Sequence, residues 1–147
     1  MYLATKSNNL FFKGHSRINL YAMAKILIVD DYQDIVEVLT SVFEMKGHCV
    51  EKVLSGENLK STMIQFRPDI ILLDVRFRDM DGRKLCKEIK SKKDLSVPII
   101  LMSASPELLK NFKECHADAV MEKPFDLNEL VEKVGRVLNK YRSPSLN

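Results

Sequence analysis

From Lys25 onward, short apolar runs alternate with stretches whose apolar positions recur at helical spacing. Five runs read as strands: 25–29, 49–53, 70–73, 99–102 and 118–122. The first, third and fourth are almost continuously apolar, the mark of strands buried on both faces of a parallel sheet. Ile35, Val38, Leu39, Val42 and Phe43 predict a first helix, closed by Gly47. Ser55 reads as the N-cap of a second helix carrying Leu59, Met63 and Phe66, stopped by Pro68. After Asp74 a loop runs to Gly82, and Leu85 and Ile89 mark a third helix. Ser105-Pro106-Glu107 opens a fourth, with Leu108, Leu109 and Phe112 inward. Asp126-Leu127-Asn128-Glu129 is a capping box opening a fifth, with Leu130, Val131, Val134 and Leu138 on its inner face. Strands alternating with helices predict an α/β fold, a parallel sheet with right-handed crossovers and helices on both faces.

Residues 1–22 break this pattern. They are rich in Asn, Ser and Lys, and Leu10-Phe11-Phe12 is too short for a secretory apolar region. The expectation is a disordered or loosely docked extension, or an upstream start, since Met23-Ala24-Lys25 looks like a natural beginning; an organellar transit peptide is the weaker alternative. The globular unit is then 23–142, followed by a short tail at 143–147.

Composition narrows the class. At 147 residues, 46% hydrophobic and 29% charged, the chain suits one soluble domain with a single core. No apolar stretch is long enough to span a bilayer. The net charge of +3 comes from Lys6, Lys13 and Arg17 in the acid-free first 22 residues, leaving 20 basic against 20 acidic side chains beyond them. A neutral body gives no reason to expect nucleic-acid binding. Cys49, Cys86 and Cys115 show no paired spacing and are expected to be buried or half-buried thiols of a cytoplasmic protein. His15, His48 and His116 form no metal-ligand spacing.

The chemistry collects where strands end. Asp30-Asp31 follow the first strand, Asp74 the third, Ser103 the fourth and Lys123 the fifth. In an open α/β sheet, polar groups at the strand C-termini share one crevice. Adjacent carboxylates repel unless a cation compensates, and magnesium favours such oxygen ligands; the alternative is a helix cap plus a solvated loop charge. A carboxylate leaving an apolar strand can act as a nucleophile on phosphorus. An ammonium at Lys123 and a hydroxyl at Ser103 can serve phosphate oxygens. Taken singly, these two are a solvated lysine and a turn serine; what is specific is the agreement of all four strand ends.

Ile28-Val29-Asp30-Asp31, Leu72-Leu73-Asp74 with Met80-Asp81-Gly82, Met102-Ser103-Ala104 and Glu122-Lys123-Pro124-Phe125 occur in this order. With them the chain, over about residues 24–140, resembles the receiver domain of two-component response regulators. The resemblance implies a flavodoxin-like, doubly wound five-stranded sheet of order 2-1-3-4-5 with five helices on both faces. It implies that Asp74 accepts phosphate from a sensor histidine kinase or phosphotransfer protein. Asp30, Asp31 and Asp74 would hold Mg2+ with the Arg76 backbone carbonyl, Ser103 would swing toward the phosphate, and Lys123 would pair with the acids across a cis Lys123–Pro124 bond. The expected function is a stand-alone phosphorylation switch, not an enzyme, acting on a downstream protein or passing phosphate on.

Three departures from the family pattern stand out. Val120 occupies a switch position that is usually aromatic, Arg76 and Arg78 bring two guanidinium groups to the loop after Asp74, and the segment between Ser103 and Lys123 is short, implying a trimmed fourth helix. Two rivals remain at this level. One is a receiver-fold binding module that no longer cycles, which Val120 favours and the complete acid and lysine set opposes. The other is an aspartyl-intermediate phosphohydrolase, which would want an acid two residues after the nucleophile, where this chain has Arg76.

Overall fold

Alternation within each buried strand divides the core in two. In the computed structural model, which describes residues 23–143, β1 (Lys25–Val29), β3 (Ile70–Asp74) and β4 (Ile99–Ser103) form the centre of a parallel sheet. Leu27, Val29, Ile71, Leu73, Ile99 and Leu101 face one hydrophobic cluster. Ile26, Ile28, Ile70, Leu72, Ile100 and Met102 face the other. All twelve are fully buried, and each such side chain contributes roughly 1.5–3 kcal/mol through the water it leaves. β2 (Cys49–Val53) and β5 (Ala119–Glu122) complete the order 2-1-3-4-5. These edge strands expose Glu51, Lys52 and Glu122, charges that discourage further strand pairing.

α1 (Gln33–Met45) and α5 (Leu127–Arg142) cover one face; α2 (Leu59–Phe66), α3 (Gly82–Ser91) and the single-turn α4 (Pro106–Leu109) cover the other. Gly47 follows α1 at φ +84°, a conformation glycine adopts without steric cost. The Asp126 side chain caps α5, accepting from the backbone N–H groups of Asn128 and Glu129. α4 is short, as the sequence implies, and a 3-10 turn at Phe112–Cys115 takes up the rest of the connection.

Several local expectations are corrected. The inner face of α1 is Val36, Leu39 and Phe43, while Val38 is 47% exposed because it lies off that stripe. Ser55 makes no capping bond; a 3-10 turn at Gly56–Asn58 intervenes before α2, which ends with Arg67 left-handed ahead of Pro68. The loop after Asp74 is a small antiparallel ribbon pairing Arg76–Phe77 with Met80–Asp81. Cys49 is exposed on its edge strand, whereas Cys86 and Cys115 are buried, the Cys86 thiol donating to the Cys115 carbonyl at 3.3 Å. His48 has a packing role, its Nδ1 accepting from the Ala24 N–H. The expectations for residues 1–22, with His15, and for 144–147 lie outside the described residues.

Candidate functional site

The parallel strands deliver their C-terminal ends to one crevice, so residues 93 positions apart become neighbours. Asp30, only 1% exposed, leaves β1 with both carboxylate oxygens engaged. Its Oδ1 accepts from the Tyr32 N–H at 2.9 Å, and its Oδ2 accepts from Lys123 Nζ at 2.5 Å. The Oδ1 bond closes a local turn ahead of α1 and is not a helix cap, so the helix-cap alternative does not hold for Asp30, whose Oδ2 joins the shared crevice. Asp31 beside it is exposed. Asp74, 7% exposed at the end of β3, accepts from the same Lys123 ammonium at 3.1 Å.

Electrostatics follow from this packing. Burial pushes the Asp74 carboxyl above its ordinary range; Lys123 opposes that shift, and the charges of Asp30 and Asp31 add to it. Burial disfavours the Lys123 ammonium, but its bonds to Asp30 and Asp74 outweigh this and raise its pKa. Oxygens of Asp30, Asp31 and Asp74 all lie within 4.8 Å of one another. Three carboxylates against one ammonium leave excess negative charge on a compact set of oxygen donors, which suits a hard divalent cation.

Ser103 sits at the end of the neighbouring strand, 3% exposed, with its Oγ accepting from the Ser105 N–H at 3.1 Å. Its hydroxyl thus stabilises the turn into α4. Val120 is half-buried against the α2–α4 cluster, and its carbonyl accepts from Lys133 Nζ at 2.7 Å. Arg76 opens the ribbon two residues past Asp74 and is exposed. Arg78 is held differently from the sequence expectation of two guanidinium groups at the phosphate: its Nε donates to the Leu54 carbonyl at 2.8 Å, with φ +52°, tying the ribbon to the β2–α2 loop. The Lys123–Pro124 bond is cis.

In the sequence Gly82 ends a loop and closes the Met80-Asp81-Gly82 motif, with no packing role assigned to it. A Cβ there would lie 2.3 Å from the Asp74 carbonyl oxygen and 2.9 Å from Val75 Cα, both backbone atoms that cannot yield cheaply. Its N–H donates to the Val75 carbonyl at 2.7 Å, so the first turn of α3 clamps the backbone carrying Asp74. A glycine opening a helix directly after Asp81, which caps that helix, was the available signal.

The model of the response regulator receiver domain matches residues 26–135. The chain belongs to the response regulator receiver family. It is 35% identical over 122 residues to the regulatory protein AtoC of Escherichia coli, covering 80% of this chain and 26% of that protein. It is 34% identical over 118 residues to the alkaline phosphatase synthesis transcriptional regulatory protein PhoP of Bacillus subtilis, covering 79% of this chain and 49% of that one. Among solved structures, a two-component response regulator from Clostridium difficile superposes with a TM-score of 0.74 at 27% identity, over 82% of this chain and all of that one. The receiver spans half the length, or less, of the curated relatives it matches. Receivers are signalling modules phosphorylated on aspartate by histidine kinases or phosphotransfer proteins, and they generally bind Mg2+ through acidic residues. No described helix is long and apolar enough to cross a membrane.

Proposed function

We propose that this receiver, residues 23–142, is a cycling phosphorylation switch whose phosphoacceptor is Asp74. The observation that carries the reading is the single Lys123 ammonium shared by Asp74 and the buried Asp30 at the foot of the crevice. An Asp74 carboxylate oxygen attacks the phosphorus of a phosphohistidine; a P–O bond forms as the P–N bond breaks, and the electron pair returns to the imidazole. Phosphoryl transfer asks the protein mainly for alignment and charge neutralisation. Lys123 neutralises one equatorial oxygen, and Ser103 leaves its bond to Ser105 to donate to another. Asp30, Asp31, Asp74 and the Arg76 backbone carbonyl would hold Mg2+, which would neutralise phosphoryl charge.

The proposed donors are a cytoplasmic sensor histidine kinase or a phosphotransfer protein, and the output is a change in affinity for a downstream protein or onward transfer of phosphate. The rival reading, a receiver-fold module that binds without cycling, draws on Val120. One experiment separates them. Incubation with Mg2+ and acetyl phosphate is expected to add the mass of one phosphoryl group to the intact protein, and Asp74→Asn to abolish the gain. No gain in the wild type would favour the non-cycling module; a gain of equal lability in the variant would move the site elsewhere.

A further inference from the structure

Between α2 and α3 runs a groove of about 580 Å3, floored by Leu59, Met63, Leu85 and Leu95 and edged by Ile64 and Met80. Ile64 is 63% exposed and Met80 39%. Singly exposed apolar residues need no explanation, but these two edge one apolar groove and extend its surface. The upper end of the groove is built by the loops around the acid crevice. Met80 lies in the ribbon after Asp74, so close to Gly56 that a Cβ there would sit 2.6 Å from the Met80 sulfur.

Charge on this flank is one-sided. Residues 82–95 carry six basic side chains against two acidic ones, while the rest of residues 23–147 carries 14 basic against 18 acidic. Arg83 and Lys90 are engaged by Asp81 and Asp118. Lys60, Lys92 and Lys93 line the groove together with Glu88 and Asp94; Lys60 and Lys93 make no ion pair among the described residues, and Lys92 is 3.8 Å from Glu88. The chain's own first 22 residues are a poor occupant, being basic and free of acids. A phosphate backbone or lipid headgroup would meet the lysines but leave the apolar floor unfilled.

We propose that this groove docks an acidic amphipathic helix of a partner protein, its apolar stripe on Ile64, Met80 and the floor and its carboxylates toward Lys60 and Lys93. The flanking helices have 8 and 10 residues, so the groove is roughly 12–15 Å long, which matches anchors at i, i+3, i+4 and i+7 of a docked helix. The inference goes beyond phosphorylation at Asp74 and does not rest on it.

The test is fluorescence anisotropy of the full chain with a labelled, designed helix peptide bearing leucines at that spacing and glutamates elsewhere. Saturable binding is expected, weakened at least about tenfold, or about 1.4 kcal/mol, by Ile64→Asp. A Lys60→Glu, Lys93→Glu double variant is expected to weaken binding comparably and flatten its salt dependence. Arg136→Ala on α5 is expected to change nothing, and all these positions are exposed, so the fold is retained. The proposal is overturned if the peptide does not bind, or if a peptide of scrambled order binds equally well. It also fails if Ile64→Asp has no effect, or if duplex DNA or phosphatidylserine vesicles bind the chain more tightly than the peptide.

Discussion

Replacing Asp74 with asparagine is expected to stabilise the metal-free protein. At an effective dielectric constant of about 20, the attraction between Asp74 and Lys123 at 3.1 Å is roughly 5 kcal/mol. Repulsion from Asp30, with oxygens no more than 4.8 Å away, returns about 3.5 kcal/mol, and the solvent-screened Asp31 adds about 1 kcal/mol. These terms nearly cancel. What remains is the cost of burying the Asp74 charge, several kcal/mol for an ion taken from water. Asparagine keeps the volume and an oxygen for Lys123 while removing that charge, so a gain of about 1–2 kcal/mol is expected, discounted for relaxation around the site. The pH dependence has a definite sign. Because the folded-state pKa of Asp74 is raised above its ordinary 3.8, the folded state binds more protons than the unfolded state just above that value. Stability therefore falls as pH rises from 3.8 through the raised pKa, and Asp74→Asn removes that fall. Urea unfolding followed by circular dichroism, in EDTA across this range, reads both effects as shifts in midpoint at constant slope. Mg2+ at about 100 times its dissociation constant is expected to stabilise the wild type by about 2.7 kcal/mol and the variant by less. A variant less stable than wild type in EDTA, or one gaining equally from Mg2+, would refute the argument.

Lys123→Met removes the cation shared by two buried carboxylates and is expected to cost about 3 kcal/mol in EDTA at neutral pH, measured by the same unfolding assay; an unchanged midpoint would mean the ammonium is not compensating them. Gly82→Ala drives a Cβ into the Asp74 carbonyl and should cost about 2 kcal/mol and slow phosphoryl uptake, read by unfolding and by intact mass. Arg76→Ala is expected to shorten the life of the aspartyl phosphate in a decay time course, because the exposed guanidinium two residues from Asp74 can shield the phosphoryl group from water; a longer lifetime would assign Arg76 to the hydrolytic transition state instead.

Much of this protein is legible along the chain because its strongest signals are local. Five apolar runs and their intervening helical stripes specify an alternating α/β fold, since a strand buried on both faces needs an uninterrupted apolar sequence. Motifs at four strand ends then pointed to one family and one crevice, and the fold brings Asp30, Asp31, Asp74 and Lys123 together there. Periodicity alone does not say which side chain takes which partner. Val38 belongs to the apolar pattern of α1 yet faces water, because the sheet meets the helix along Val36, Leu39 and Phe43. Arg78 sits in a loop beside the site but is held by the Leu54 carbonyl, 24 residues back. Gly82 reads as a turn residue until the backbone of Asp74 is seen to pass where a side chain would stand. Local sequence determines which segments can be strands and helices through what each must bury. Hydrogen-bond partners, close backbone approaches and the α2–α3 groove join residues that meet only after the crossovers close, so the tertiary structure alone decided them.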